Sequence, residues 1–467
     1  MINSTSIDEK IRFFDDALRI SESFDTVRRD IIACNVRCSF YFVDGLTKDE
    51  VMLRIMDLFM KLKQFDTASL SSLKDFYDTY IPYVEVESAQ SEQHVITGVL
   101  SGMTAMVADG IPGVILIDCR TYPVRGIEEP ENDKVLRGAR VGFVETLVFN
   151  AALIRRHIRD PKLTMKIKTV GTSSKTDIVL CYLDGKADKK LLENIEKKLD
   201  EINVPALSLS SESLAECLIK TRWYNPFPKI RYTERPDAAS ASIMEGSIIV
   251  LCDNSPSAMI LPTCIFDFLQ ETDDYYFPPL TGTYLRFVRC SVFFLTVFLS
   301  PLWYLLITHD EYIPQWLDFI RIEELSGLPV IVQLFLLEFA VDGLKLAALN
   351  TPSVLAGSFS IIGGLILGDF AVKVGWFVPE TILYTAFVSI ANFAQPSYEL
   401  GYAFKFMRLI LLLLTALFEI WGFTAGVILT IVLICTNKTV QGQRNYLYPL
   451  VPFNKKALTR LLIRKKL

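Results

Sequence analysis

Several residue patterns that usually announce catalysis are missing from this chain. It contains no G-x-G-x-x-G, no G-x-x-x-x-G-K-[S/T] and no G-x-S-x-G, so phosphate-cradling glycine loops and the serine-hydrolase elbow lose their usual signatures. Histidine is scarce, with only His94, His157 and His309, and the nine cysteines include no C-x-x-C pair. Cys34 and Cys38 lie four apart with no histidine nearby in sequence, which argues against zinc or another metal. Scattered thiols in odd number fit a reducing compartment better than a disulfide framework. No cofactor is implied. A basic excess is also absent: 48 Lys and Arg stand against 53 Asp and Glu, a formal net charge of -5, which sets nucleic acid aside as a partner. The N-terminus, MINSTSIDEKIRFFDD, lacks the apolar run of a signal peptide, so the part that follows it is expected on the cytoplasmic side.

What is present changes character near residue 286. The mean hydropathy of +0.32 averages two unlike parts. Residues 288–308 (VRCSVFFLTVFLSPLWYLLIT) carry one charge, Arg289, and at 1.5 Å per residue they cross a hydrocarbon core of about 30 Å. Arg286 and Arg289 at the start of this run agree with a cytoplasmic entry. The expected organisation is therefore a charged helical segment at 1–30, two cytoplasmic α/β subdomains at 31–160 and 161–285, an α-helical multipass membrane bundle at 286–440, and a basic cytoplasmic tail at 441–467.

In the soluble part, strands are expected at 36–43, 113–118, 163–170, 177–183, 247–252 and 258–261. Helices are expected at 51–62, 92–108, 189–201 and 211–219. The densest polar stretch runs from Arg120 to Arg159. Here Arg120, Arg125, Arg137, Arg140, Arg155 and Arg156 stand among Glu128, Glu129, Glu131 and Glu145, a composition suited to bidentate guanidinium–carboxylate pairing. It reads as an ion-pair network joining subdomains or subunits, as a ligand or phosphate site, or as a solvated charge run. The paired Glu128 and Glu129 are the best candidates for a membrane-anchored enzyme, but no nucleophile, metal or cofactor spacing accompanies them.

In the membrane part, spans are expected at 288–308, 353–370, 376–395 and 409–435. Residues 328–349 are apolar yet carry Glu338, Asp342 and Lys345 on one helical face. Charge is costly at the bilayer centre, so this face must meet protein or water. An internal Asp342–Lys345 pair, a polar stripe lining an ion path, and an in-plane interfacial helix all satisfy that demand. In a ring of subunits Glu338 and Asp342 form carboxylate rings of the kind that admit cations. Glu419, near the middle of 409–435, joins them as a candidate on the ion path, whereas Asp369 and Glu380 fall near helix ends. Gly364 and Gly368, and Gly422 and Gly426, are four apart and permit close helix packing. Five spans leave the tail outside, yet its Lys455, Lys456, Arg460, Arg464, Lys465 and Lys466 belong inside. Either 328–349 does not cross, the reading preferred here, or 409–435 folds back at its glycines. The tail's leucines among basic residues fit an amphipathic helix on anionic lipid.

Longer motifs carry a family resemblance. R-x2-P-x-R-x2-EEPE from Arg120, LRGAR-x-GF-x-ET from Leu136, FNAALIRR from Phe149, TERPD from Thr233, DNSP from Asp253 and NYLYPLVPF from Asn445 resemble the signature of GerA-type spore germination A subunits. The stretch DPKLTMKIKTVGTSSKTDIVLCYLDGKAD is closer to the SpoVAF branch of that family. Ala139, Val141 and His157 depart from the pattern. The resemblance implies an oligomeric germination protein of the spore inner membrane, an ion channel or ion-release component working with other germination membrane subunits. It also implies that the chain is not an enzyme.

Overall fold

The computed structural model describes residues 2–33, 36–61, 73–81, 83–122, 141–219, 223–271, 277–323, 326–350, 371–440, 442 and 445–463. The chain forms two compact units, Met1–Lys220 with Ile230–Thr263, and Thr221–Lys229 with Cys264–Leu467.

The first unit repeats one design twice. Strands β1 (Thr26–Ala33), β2 (Val36–Val43), β3 (Val86–Ser88), β4 (Thr104–Ala108) and β5 (Ile115–Ile117) lie in the order β1-β2-β4-β5-β3. Strands β6 (Leu163–Val170), β7 (Thr176–Leu183), β8 (Arg231–Thr233), β9 (Ile248–Cys252) and β10 (Ala258–Leu261) lie in the order β6-β7-β9-β10-β8. Every pairing is antiparallel. Helices occupy matching slots as well. Asp49–Lys61 and Leu73–Tyr80 follow β2, as Lys189–Glu201 and Ser211–Leu218 follow β7, while Glu92–Leu100 precedes β4 as Pro236–Glu245 precedes β9. The helix-to-strand reversals fall on Gly102 (φ 102°) and Gly246 (φ 104°), a backbone region where a side chain is strained.

Three expectations change here. Residues 92–108 are not one helix, because Gly102 ends it and Thr104–Ala108 becomes an inner strand. The segment 1–30 is not helical throughout: Ile7–Ala17 is, but β1 begins at Thr26. The Leu147–His157 helix, expected in the first subdomain, packs Leu147, Ala151, Leu153 and Ile154 into the core of the second sheet.

Strand alternation explains the layering. In the first sheet Tyr41, Val43, Ala105, Val107 and Leu116 face the Ile7–Ala17 and Glu92–Leu100 helices. Cys38, Phe40, Met106, Ala108, Ile115 and Ile117 face Asp49–Lys61 and Leu73–Tyr80 on the other side. A sheet buried on both faces needs apolar residues at both parities.

The two halves of this unit are joined through charge. Arg155 donates from Nε to Asp25 Oδ2 at 2.7 Å and from Nη2 to Asp25 Oδ1 at 3.1 Å, and both side chains are 1% exposed. Nη2 also reaches the Leu163 carbonyl at 3.0 Å, and Nη1 the Asp160 carbonyl at 3.3 Å. Ser23 Oγ donates to Asp25 and accepts the Met165 N–H of β6. Beside it, Arg19 binds Thr164 Oγ1 at 2.9 Å and Asp184 Oδ2 at 2.8 Å, and this guanidinium holds the Asp184 carboxyl below the usual carboxylate range.

The second unit is helical, with Pro279–Thr308, Val330–Asn350, Pro379–Phe393 and Tyr398–Thr436 as its principal described helices. Two of them, Pro279–Thr308 and Tyr398–Thr436, contain stretches long and apolar enough to cross a membrane. The expected span at 353–370 lies outside the described residues. Pro379–Phe393, within the expected span 376–395, has 15 residues and reaches about 22 Å, short of a hydrocarbon core.

Tyr398–Thr436 is bent back on itself. Glu419 has φ 50° and ψ -128°, outside helical space. A Cβ on Gly422 would meet the Leu414 carbonyl oxygen at 1.8 Å, and one on Gly426 would meet Leu411 Cδ1 at 2.3 Å. Leu411 and Gly426 would stand about 22 Å apart on a straight helix, so 398–418 and 420–436 form a hairpin. Ile434 returns to the cluster of Leu400 and Phe404. The other sequence reading, a fold-back of 409–435, is the one the backbone shows. The fold-back occurs in the last helix, at Glu419 with Gly422 and Gly426 inside the contact, while Val330–Asn350 packs lengthwise against its first half.

Replacing Arg155 by Met strands the buried Asp25 carboxylate. The expected cost is about 3–5 kcal/mol, read as a lowered unfolding midpoint in denaturant, and the Asp25→Leu/Arg155→Met pair should recover part of it. Spin labels at Tyr402 and Val432 should report a short separation across the hairpin. A value near the roughly 45 Å of a continuous helix would contradict the fold-back.

Candidate functional site

The second unit gathers five ionisable side chains in one place, three buried and two half-buried, supplied by two helices. Val330–Asn350 turns Gln333, Leu334, Leu337 and Glu338 inward. The 398–418 half-helix turns Lys405, Arg408 and Leu412 toward it, while Leu400, Phe404 and Leu411 pack in a separate cluster with Ile434. Gln333 fixes one end, accepting the Val378 N–H at 2.9 Å and the Thr381 hydroxyl at 3.0 Å.

At the centre, Arg408 Nη2 donates to Glu338 Oε1 at 2.6 Å and Nη1 to the Thr296 carbonyl at 2.7 Å. Lys405 Nζ lies 3.1 Å from Glu338 Oε2 and 2.5 Å from Asp342 Oδ2. Glu338, Lys405 and Arg408 are 7%, 6% and 2% exposed, whereas Asp342 is 33% exposed. Lys345 does not pair with Asp342 as one sequence reading held. Its ammonium sits over the Phe393 ring at 4.1 Å and faces Tyr402 at 5.3 Å, a cation–π arrangement. Two carboxylates thus meet two cations, with Lys345 on the aromatic rings beside them, and Glu338 is held from both of its oxygens.

Lys405 and Arg408 fall just before the apolar run at 409–435, so the run's composition does not mark them as buried charges. Their signal was present: cations three apart complement acids four apart on a neighbouring helix. Glu419 is not part of this group. It sits at the hairpin turn, about 16 Å of helix beyond Arg408, with its carboxylate 3.4 Å from His309 Nε2 and 61% exposed.

The other sequence-selected residues scatter. Arg120 chelates Asp118, with Nε at 2.7 Å from Oδ1, and holds that carboxyl below its ordinary range. Arg155 is the buried joint described above, and Arg156 stacks its guanidinium 4.2 Å from the Tyr122 ring centroid. Glu145 is exposed, and its backbone carbonyl accepts the Asn254 N–H. Arg125, Glu128, Glu129, Glu131, Arg137, Arg140, Gly364, Gly368 and Asp369 lie outside the described residues. The basic tail forms the helix Lys455–Leu462, capped by Asn454, and Arg286 donates to the Leu461 carbonyl at 3.2 Å. This returns the tail to the end at which Pro279–Thr308 begins. Among the described residues no group of three or more His, Cys, Asp or Glu is placed to hold a metal.

Fold and site together define a two-unit protein, an antiparallel α/β unit and a helical unit with two helices apolar enough for a bilayer. The chain belongs to the GerA family, described as Bacillus/Clostridium GerA spore germination protein, which matches residues 16–467. It is 36% identical over 452 residues to stage V sporulation protein AF of Bacillus subtilis (strain 168), covering 97% of this chain and 91% of that protein. It is also 27% identical over 428 residues to spore germination protein A1 of the same organism, covering 91% and 86%. The N-terminal domain of the A subunit of the Bacillus megaterium spore germinant receptor GerK3 aligns with a TM-score of 0.41 at 23% identity, over 55% of this chain and 94% of that one. These relatives are named as germination or sporulation proteins, not as enzymes.

Glu338→Gln should leave Arg408 and Lys405 buried against a neutral amide. The expected loss is about 3–5 kcal/mol, seen as a lowered melting midpoint in detergent, with partial recovery when Arg408→Met is added. A midpoint equal to that of the unaltered protein would show that the carboxylate is not paired.

Proposed function

We infer that this chain is a multipass membrane subunit of a spore germination complex, with its α/β unit in the cytoplasm and its helical unit in the inner spore membrane. Its work there is to conduct or release small ions under a germination signal. One observation carries the reading: a five-charge cluster with Glu338, Lys405 and Arg408 buried at its centre, within a helical unit whose apolar faces are otherwise open. In the two long helices only 28% of the most apolar window is buried. That is the character of a lipid-facing helix, since the core helix of a soluble protein is mostly covered. Charges are retained at such depth where a polar route or a switch requires them.

Membership of the GerA family supports the germination role. Work alongside other germination membrane subunits, and assembly into a homo-oligomer, belong to the same reading and rest on that membership. The hairpin at Glu419 supports a cytoplasmic tail, because it returns the chain to the Arg286 end. From there Lys455 and Lys456 face anionic headgroups. Gating then amounts to repacking of Val330–Asn350 against the 398–418 half-helix under a signal that binds one arrangement better than the other.

A second reading, a non-conducting scaffold or signal-transducing subunit, draws on the same cluster. Glu338 is already satisfied within one protomer and does not need a lumen. Ion flux through liposomes containing the purified protein separates the two. Conduction through the cluster predicts that Glu338→Gln and Asp342→Asn each change flux or ion preference several-fold. Unchanged flux in both would remove the cluster from the path, and absence of flux from a well-formed oligomer reconstituted with its partner subunits would favour the scaffold.

A further inference from the structure

The polar chemistry of the helical unit does not end at the charge cluster. Pro279–Thr308 and Pro379–Phe393 pack antiparallel, pinned at one end by Gln395 Nε2 donating to Thr296 Oγ1 at 3.0 Å and at the other by the Trp303 ring stacked on Tyr384 at 4.5 Å. Between these pins the facing residues include Ser300 and Thr385, each 3% exposed. Among the described residues neither hydroxyl has a hydrogen-bond partner. The same holds for Gln395 Oε1 and Arg408 Nε, in side chains 8% and 2% exposed, and for Oδ1 of the half-buried Asn392.

This is not how the unit treats its other hydroxyls. Ser291, Thr296, Thr308, Thr415 and Thr430 each donate to the carbonyl four residues earlier, at 2.7–3.0 Å. That local bond is the standard way to hide a hydroxyl in an apolar helix. Ser300 and Thr385 forgo it although both are buried. Burying a polar atom without a partner is unfavourable, and the groups that tolerate it are those that water reaches. Ser300, Thr385 and Gln395, the half-buried Asn392 whose Oδ1 faces Gly401, and the Nε of Arg408, the partner of Glu338, are thus polar groups left for water on these two helices and their neighbour.

We propose that the seam between Pro279–Thr308 and Pro379–Phe393, lined by Ser300, Thr385, Asn392, Gln395 and Arg408, is a water-accessible polar route inside each protomer. Its occupants are water and small hydrated ions. Water bridges the hydroxyls and amide oxygens, and Arg408 Nε donates to the same file. The route leads past the side of the charge cluster and does not require Glu338 to release its cations. It deepens the conducting reading by naming a path, but it stands on burial and hydrogen bonding within one chain.

Accessibility to a small membrane-impermeant methanethiosulfonate reagent tests it in liposomes holding the full-length protein. Modification is read site by site by peptide mass spectrometry, so the native cysteines do not interfere. Ser300→Cys and Thr385→Cys should react at least ten-fold faster than Leu412→Cys, which is equally buried in an apolar cluster. Equal, slow reaction at all three would overturn the proposal. Should the cysteine variants fail to assemble, Thr385→Val decides. The change conserves shape, so a lowered melting midpoint supports a hydrated hydroxyl, whereas an unchanged or raised midpoint shows a dry one and overturns the route. Fast labelling without ion flux would leave the seam standing and remove conduction, and flux without labelling would do the reverse.

Discussion

A charge taken out of water has to bring its counter-charge and its hydrogen-bond partners with it, and both units of this protein are organised by that demand. In the α/β unit the joint between two similar halves is Arg155, enclosed with Asp25, Ser23 and two carbonyls. In the helical unit it is Glu338 between Lys405 and Arg408. Neither pair is needed to drive burial, since hydrophobic residues of similar volume often serve as well or better. What such a pair adds is discrimination: any other register strands a charge, so the helices and sheet halves have one favourable way to meet.

The duplicated ββααβαββ arrangement of the first unit explains why that joint sits where it does. Each half closes its own core around its own sheet, so little apolar surface remains to specify their relation. The short segment from Arg19 to Asp25 supplies it by adding backbone and side-chain bonds to β6 and its neighbours. In the second unit the fold-back at Glu419 plays the comparable part. It permits 420–436 to cover the 398–418 half-helix that carries the cluster, and the two glycines in the contact let the backbones approach closely.

Much of the architecture was legible in the residues. The change of solvent near residue 286, most strands of the α/β unit and the oddity of 328–349 all follow from period and composition. The repeat was not seen, although Asp44-Gly45 after β2 and Asp184-Gly185 after β7 were its trace, because strands as short as Val86–Ser88 and Arg231–Thr233 leave no periodic signal. The helix expected at 92–108 failed because a strand buried on both faces has no alternation to distinguish it from a buried helix. Arg155 and the acids Glu338 and Asp342 were found as candidates, but their partners were not. Asp25 is 130 residues from Arg155, and Lys405 and Arg408 are 67 and 70 residues from Glu338.

Sequence alone determined what each segment could tolerate: which runs are apolar enough for lipid, which helix carries charge, where glycine frees the backbone, and, through its long composite motif, the family. Only the tertiary structure decided what those charges meet. Pairing depends on which helix faces which, and that is set by packing between segments far apart in the chain. The bend at Glu419 shows the same division. Its glycines and its excess length were visible, but the choice between a straight helix and a hairpin belonged to the contact of Gly422 and Gly426 with Leu414 and Leu411.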